Sequence, residues 1–395
     1  MANALLTPNQ ITREALRVLH QKLNFIGAIN RTYDDSFAKD GAKIGSALRI
    51  RLPNQYTVRT GANLSAQDTT ENQVTLNVTT QKGVDTQFTS ADLTLSLDDF
   101  SQRIINPAMA VLAAAIEADA FAMALDIYNA VNNVGSAITF KNTLQARKIL
   151  NDNLAPMDGQ RSVILNTQDN VDLVDALKGL FQDSSEIKAQ YRDGVMGHTA
   201  GFEFSENTLL PSQTTGTALS ATTYTVNGAN QTGSAVTVAT GSTTFKKGDV
   251  VNLAGCNSVH PETKVSTGIL QQFVVTADYA GGGGNLAISP AIVTSGATQN
   301  VSGSPTNGGA VTKIGGASAI YKPSLAFHKD AFTFATADLV LPKGVDMASR
   351  AVMDGLSMRL VRQYDINYDR FPVRLDLLYG YQTIRPQLAA RILSN

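Results

Sequence analysis

The stretch from Asp98 to Gly135, DDFSQRIINPAMAVLAAAIEADAFAMALDIYNAVNNVG, constrains this chain more than any other. It is dominated by Ala, Leu, Ile and Met, residues that lose least on entering a helix. Ser96, Asp98 and Asp99 offer N-cap oxygens at its start, and Gly135 supplies a stop. Pro107 either opens the main helix after Asn106 or kinks it. Unbroken from Pro107 to Asn133, such a helix reaches roughly 40 Å, the width of a small domain. It reads as a beam across the molecule or as a buried core helix, which periodicity alone does not separate. Arg103, Glu117, Asp119 and Asp126 interrupt the ~20-residue apolar run that a membrane span requires.

The chain has 395 residues, enough for a sizeable core and more than one domain. Its formal net charge of −1 implies no global pull toward nucleic acid or membrane. Charged residues make up 16% of it, below the usual share, with Ala, Thr, Ser, Asn and Gly in their place. Such a surface suits burial against neighbours. The single Cys256 excludes an intramolecular disulfide framework. MANALLTPNQ lacks the basic-then-apolar order of a secretory signal, so a protein folded in a reducing cytoplasm is expected.

Taken in order, Thr7-Pro8-Asn9-Gln10 is a capping-box pattern, and Ile11, Ala15, Leu19, Leu23 and Ile26 fall on one helical face. With the polar RTYDDSFAKDG behind it, this segment reads as an arm that docks on its own core or on a neighbour. Leu48, Ile50 and Leu52 then alternate with Arg49 and Arg51, as do Val74, Leu76 and Val78 with Thr75 and Asn77. The pattern predicts a long hairpin whose extended tip carries Arg59, Asp68 and Glu71 and almost nothing apolar. A hairpin without a core needs support from another surface. A short helix over Leu144–Leu154, a buried strand over Arg161–Leu165 and a strand beginning at Gly201–Phe204 follow. Between the last two, Thr167 caps a helix with Val171, Val174 and Leu177 facing inward. This alternation is α/β or α+β.

From about Gln213 to Gly316 the composition turns to Thr, Ser, Gly, Val and Asn. Short β-rich runs (Thr223–Val226, Ala235–Ala239, Asp249–Leu253, Gln272–Ala277, Leu286–Ile288) alternate with turns at Asn227-Gly228, Lys247-Gly248 and Gly281–Gly284. That predicts a small all-β sandwich or barrel inserted into the mixed pattern. Mixed structure returns over 317–395, where Ala331–Leu339 is ambiguous. Strands around Leu356–Leu360 and Val373–Tyr379 form a hairpin across Tyr364–Pro372.

Enzyme motifs are absent: there is no Gly-x-Ser-x-Gly, His-Glu-x-x-His, Walker loop or Cys-x-x-Cys. Cys256 and His260 lie four apart, but the stretch holds no other His, and a zinc site needs three or four ligands. Gly281–Gly284 precedes a strand pattern rather than the helix a phosphate loop requires, so it reads as a hairpin tip. His328 stands beside Asp330 without a nucleophile nearby. Arg49, Arg51 and Arg59 lack interleaved aromatics and read as solvated or subunit-facing rather than nucleic-acid-binding.

The order of elements resembles the major capsid proteins of tailed bacteriophages with the Hong Kong 97-type fold, in the P22-like coat-protein branch. Tyr191-Arg192-Asp193-Gly194 with Ala200-Gly201-Phe202 is similar to that family's lead-in to its insertion. Lys246-Lys247-Gly248-Asp249-Val250 with Leu253-Ala254-Gly255 resembles strands of the inserted domain. Leu325-Ala326-Phe327-His328-Lys329-Asp330-Ala331-Phe332, Leu378-Tyr379-Gly380 and Arg385-Pro386 complete the likeness, which lies in the second half of the chain. The first half matches by element order.

The resemblance implies an α+β Hong Kong 97-like fold with an N-terminal arm (1–40), an extended loop and flanking strands (41–95) and a spine helix of the peripheral domain (96–140). An axial domain (141–212 and 317–342), an all-β insertion (213–316) and closing peripheral strands (343–395) complete it. The function implied is a structural coat protein rather than an enzyme, with no cofactor or metal. It would self-assemble through pentamers and hexamers into an icosahedral shell around double-stranded DNA. Scaffolding and portal proteins would be its further partners, without sequence-specific DNA binding or a membrane. Assembly in the host bacterial cytoplasm and residence in the virion capsid follow. Arg49, Arg51, Arg59, Asp68 and Glu71 are the expected inter-subunit contacts. Some capsids of this fold crosslink a Lys near the loop tip to a neighbour's Asn. Here Lys43 and Lys82 lie at the hairpin base and none lies in 53–73, so a non-covalent shell is expected. Thr222–Val238 carries no charge, which leaves an ionic contact from that loop without support. An encapsulin-like compartment is the alternative, and a cell-surface binding protein built on the β-rich insert is a more distant one.

Overall fold

The structure is a computed structural model that describes residues 8–32, 47–64, 66–68, 71–89, 105–177, 197–219, 224–239, 241–353 and 356–394. The chain divides into two units, one of Met1–Ile50, Gln73–Phe121 and Phe332–Ile384, the other of Arg51–Asn72, Ala122–Ala331 and Arg385–Asn395.

The first unit is built on the strand Arg370–Thr383, in which Leu375, Leu377 and Tyr379 are buried as their alternation predicts. One side pairs antiparallel with all ten residues of Thr80–Thr89. The other pairs first with Leu356–Arg362 and then with Phe332–Ala337. Met347–Met353, a strand that the sequence pattern did not suggest, closes the sheet. The ambiguous 331–339 stretch is therefore largely strand. At Gly380 a Cβ would stand 2.0 Å from the Asn77 carbonyl oxygen, so the close backbone approach there requires glycine.

Two helices cover this sheet. Helix α1 (Pro8–Lys22) packs on Met347–Met353 and on α2 (Asn106–Phe121). Ala15, Leu19, Leu23 and Ile26 are buried as expected, while Leu16 and Val18 are buried as well. The described part of the arm thus docks on its own unit; Thr7 and residues 33–46 lie outside the described residues. Phe25 stacks on Phe121 with ring centroids 4.5 Å apart, and its N–H donates to the buried Glu117 carboxylate at 2.7 Å. That bond explains a carboxylate inside an apolar helix. Lys82 Nζ reaches Asp119 at 2.7 Å, and the Tyr379 hydroxyl donates to the same carboxylate at 2.5 Å.

The long helix is shorter than its composition suggests. The α-helix ends at Phe121, a 3-10 turn runs over Ala122–Asp126, and Ala130–Asn132 is a strand. Pro107 is the second residue of the described α-helix, while Ser96, Asp98, Asp99 and Arg103 lie outside the described residues. Helix propensity loses after residue 126 because Ala130, Val131 and Asn132 gain a parallel partner strand in Ala389–Leu393. Gly135, at φ 79°, turns the chain after that strand instead of stopping a helix. By length and hydropathy Asn106–Asp126 passes for a membrane span, but Met109, Leu112, Ala113, Ile116 and Ala120 are buried as in a core helix.

In the second unit a six-stranded sheet runs in the order Ala130–Asn132, Ala389–Leu393, Ser324–His328, Arg161–Leu165, Phe202–Glu206, His198–Thr199. Helix α3 spans Phe140–Asp152, four residues earlier than expected, because Thr139 and Asn142 form a reciprocal capping box. Helix α4 (Thr167–Leu177) is capped by Asn166, whose Oδ1 accepts the Asp169 N–H at 2.7 Å, and not by Thr167. Its inward face is also displaced: Val171 is 62% exposed, and Asp169 and Leu173 are buried. Asp169 accepts hydrogen bonds from Ser324 at 2.5 Å and Ser394 at 2.6 Å, which turns that face inward.

The Thr-rich region folds as a closed barrel rather than a sandwich. Its strands are Tyr224–Thr225, Gly233–Val238, Val250–Val259, Ser266–Val275, Gly284–Ile292 and Ala310–Lys313. Neighbours in the sheet pair antiparallel, and a bridge between Val226 and Val238 closes the ring. Val236, Val238, Phe245, Val251, Leu253, Phe273, Val275, Leu286 and Ile288 fill the inside. Gln213–Thr214 paired with Ile320–Tyr321 forms the neck through which the chain passes in and out. At the neck the fully buried Arg391 donates to Gln213 Oε1 at 2.9 Å and to the Gly248 carbonyl at 2.8 Å. Asp249 accepts from the N–H groups of Gly216 and Lys246, both at 2.9 Å. Lys313 donates to the carbonyls of Gly216 at 2.7 Å and Gly316 at 2.8 Å.

Burial pushes the Asp169 carboxyl above its ordinary range. A raised folded-state value means that the folded chain holds this proton more tightly than the unfolded one. Its stabilising share is complete below the ordinary carboxylate range and is lost as pH rises through the shifted value. We expect the melting temperature of the parent to gain on that of Asp169→Asn as pH falls from neutral into the acid range. Parallel pH profiles of the two melting temperatures would contradict this.

Candidate assembly surfaces

The residues that chemistry alone would nominate are occupied in structural roles. Cys256 lies in the barrel core, its thiol pushed up to about 12 by burial, with Sγ 3.4 Å from the Gly303 carbonyl. His260 turns its Nδ1 to the N–H groups of Glu262 and Thr263 at 3.3 and 3.2 Å, organising a turn. His328 is buried at the end of a sheet strand; its Nε2 lies 3.2 Å from Asp158, and its Nδ1 accepts the Asp330 N–H at 3.2 Å. Gly281 and Gly282 are in a hairpin connection ahead of Gly284–Ile292. Among the described residues no three His, Cys, Asp or Glu side chains converge as metal ligands.

What the structure offers instead is exposed surface on extended segments. Strands Ala47–Arg51 and Gln73–Asn77 pair, and in each the fourth residue, Ile50 or Leu76, is buried while its neighbours are exposed. Arg49 is exposed on the first strand. Beyond them the chain has no regular secondary structure over the described residues of 52–72. Arg51 and Glu71 form an ion pair at 3.3 Å, and the Leu52 N–H reaches the Asn72 carbonyl at 2.8 Å. Further out, Gln67 accepts from the Thr57 N–H at 2.9 Å and donates to the Thr57 carbonyl at 2.5 Å. Arg59 donates to the carbonyls of Gly61 and Asn63. Asp68 is exposed. The geometry therefore brings Arg51 and Glu71 together and leaves Arg49, Arg59 and Asp68 apart from that pair.

Three large apolar side chains on this segment are also exposed, Val58 at 94%, Leu64 at 89% and Tyr56 at 57%. Their signal was present as apolar residues among polar ones, and only the absence of a local core in the structure shows them uncovered. In the first unit a hairpin end is similarly apolar, with Tyr364, Ile366 and Tyr368 exposed. That end is rigidly built, since Arg370 lies 4.5 Å over the Tyr368 ring and bonds Asp365 at 3.0 Å. Exposed Tyr and Arg on a fixed frame are the usual anchors of protein interfaces. Lys82, at the hairpin base, is engaged by Asp119 and the Ala115 carbonyl within its own chain, while Lys43 lies outside the described residues.

The motifs behind the family resemblance fall at structural junctions. Ala200-Gly201, both at positive φ, turn between two sheet strands; Lys246–Asp249 forms the turn leading into barrel strand Val250–Val259; and Ser324–His328 is a fully buried central strand. Tyr191–Gly194 lies outside the described residues. The family profile described as P22 coat protein, gene protein 5, matches residues 29–393. The sequence matches no curated protein. Among solved structures it is similar to one from Mycobacterium phage Che8, at 14% identity and TM-score 0.49, covering 94% of this chain and 90% of that one. It is also similar to the capsid structure of the Cyanophage P-SCSP1u (10%, TM-score 0.45, 89% and 84%). The mature capsid of bacteriophage PhiM1 is a third (11%, TM-score 0.43, 89% and 83%).

Because the Arg59 guanidinium holds the loop turn by two carbonyls, we expect Arg59→Ala to speed proteolytic cleavage between residues 57 and 67 in isolated subunits. The global melting transition should move little, as for a surface substitution worth about 0.5 kcal/mol or less. An unchanged cleavage rate would show that the turn does not depend on Arg59.

Proposed function

We propose, since this chain belongs to the P22 coat protein family, that its copies build the closed icosahedral shell enclosing the double-stranded DNA of a tailed bacteriophage. The family match along nearly the whole chain carries this reading, and it makes the protein a structural, shell-forming coat protein. The physical chemistry agrees. A loop that exposes Val58 and Leu64 and has no core of its own is costly in an isolated subunit and useful where each copy lies against the next. A net charge of −1 lets many copies pack without long-range repulsion, and retention of DNA then comes from enclosure rather than affinity.

In this reading the exposed strand and loop bearing Arg49, Arg51, Arg59, Asp68 and Glu71 meet a neighbouring subunit, together with Tyr56, Val58 and Leu64. The 224–313 barrel is an accessory domain carried on the neck, and the six-stranded sheet with its helices forms the axial part. A scaffolding protein during assembly, a portal and assembly in the host cytoplasm belong to the same proposal.

The decisive experiment is electron microscopy of purified protein, alone and with scaffolding protein from the same phage. Closed shells or rings of five and six are expected, and discrete monomers or dimers under both conditions would count against the reading. Particles that co-purify with an enclosed enzyme instead of DNA would favour the encapsulin-like alternative. Val58→Asp with Leu64→Asp should abolish shells while leaving subunit circular dichroism and melting unchanged, since both side chains are exposed. Because Lys82 is held by Asp119 within the chain, boiled and reduced particles should run as a single monomer band on denaturing gels. A covalent ladder would contradict that expectation.

A further inference from the structure

An edge strand with open N–H and C=O groups is a template for any extended chain that meets it. The six-stranded sheet of the second unit has two edges. One, His198–Thr199, is only two residues long. The other, Ala130–Asn132, belongs to the run Ile127-Tyr128-Asn129-Ala130-Val131-Asn132, which carries no charge and no proline and is the kind of segment that pairs between chains.

On that second edge the Arg391 N–H donates to the Asn129 carbonyl, and the Asn133 N–H donates to the Leu393 carbonyl, both at 2.9 Å. Residues 129 and 133 thus face the sheet, and the N–H and C=O of Ala130 face outward. One side chain satisfies both. Gln272, on barrel strand Ser266–Val275, accepts the Ala130 N–H on Oε1 at 2.7 Å and donates from Nε2 to the Ala130 carbonyl at 2.9 Å. A carboxamide offers an acceptor and a donor side by side, as a neighbouring strand would. Gln272 is itself fixed by its pairing with Asn252 across the barrel hairpin. Behind the contact, Ala130, Val250, Ile314, Tyr321 and Leu393 form an apolar cluster that seats the barrel against the edge.

We infer that Gln272 is an edge cap that determines how copies of this chain associate. By filling both outward groups of Ala130 it denies the sheet edge to a strand of a second copy. It thereby directs self-association away from open-ended sheet extension and toward the contacts that close a particle. The inference rests on the shell-forming function above and adds a residue that sets its specificity.

The test uses the full chain with Asn132→Cys as a reporter on the exposed end of the edge strand, compared with and without Gln272→Ala. The reporter chain with Gln272 intact should form closed particles, and this control separates failure of the inference from failure of the shell reading. With Gln272→Ala added, closed particles should be lost to irregular open aggregates, and a disulfide between copies at position 132 should appear on non-reducing gels. In a separate chain, Gln272→Ala with Asn132→Lys should recover closed particles, because a lysine blocks edge pairing although it restores no hydrogen bond to Ala130. Closed particles without a disulfide in the Gln272→Ala reporter would overturn the inference. So would misassembly that Asn132→Lys fails to relieve, since Gln272 would then act only through local stability. If Gln272→Ala lacks the parent's circular dichroism, Gln272→Glu carries the same comparison. It keeps the acceptor for the Ala130 N–H and loses the donor to the carbonyl.

Discussion

Arg391 places a guanidinium where water does not reach, and much of the second unit is arranged to accommodate it. A buried cation is costly unless its donors are met, and here the carbonyl of Gly248 and the amide oxygen of Gln213 meet two of them, while Nε has no partner among the described residues. Those acceptors are not on the strand that carries Arg391. One lies on the turn before barrel strand Val250–Val259 and the other in the neck, so meeting these donors fixes the barrel to the sheet. Asp249 and Lys313 extend the same knot, each bonded to backbone groups of the neck. Burial raises the Asp249 carboxyl and lowers the Lys313 ammonium, which opposes charge on both, and each offsets part of the other's shift. Removing one member leaves buried donors or acceptors of its partners unmet, a cost of about 1–3 kcal/mol for each such group.

The first unit uses a different economy. Its long strand takes a partner from a distant part of the chain, Thr80–Thr89, on one side and its hairpin partner Leu356–Arg362 with Phe332–Ala337 on the other, and Asp119 and Glu117 on one helix bond Tyr379 of that strand and the Phe25 N–H. The extended loop stands outside either scheme. It is shaped by short-range bonds from Arg59 and Gln67, which fix turns without burying apolar surface. A segment ordered in this manner presents Tyr56, Val58 and Leu64 ready for contact, so little conformational freedom remains to be lost when a neighbour covers them.

Alternation proved the more legible signal in the sequence. Leu375, Leu377 and Tyr379 and the paired runs around Ile50 and Leu76 follow from residue order, because a strand with one buried side writes that side at every second position. The β-rich composition announced the barrel region, whereas closure depends on Val226 meeting Val238, a contact that composition does not encode. Helix ends were harder. The run after Phe121 has helical composition and becomes a strand because Ala389–Leu393 lies beside it, and α4 is rotated from its expected face because Asp169 finds two serines inside. Of the surface, Arg51 and Glu71 were visible as charges flanking the loop. The exposure of Val58 and the part played by Gln272 depend on what does or does not stand opposite them.

The topology also sets a timetable. Every barrel strand comes from 224–313, whereas the six-stranded sheet needs Ala389–Leu393 between two strands that appear much earlier. The first unit likewise joins Thr80–Thr89 to Arg370–Tyr379, a separation of most of the chain. Contacts of such long range close slowly because loop entropy must be lost before they form. On a ribosome adding about 5–20 residues per second, the barrel can close while both other cores still wait for their last strands. During that interval Gln272 is already in place, and the strand edge that it will cover has not yet found its own sheet.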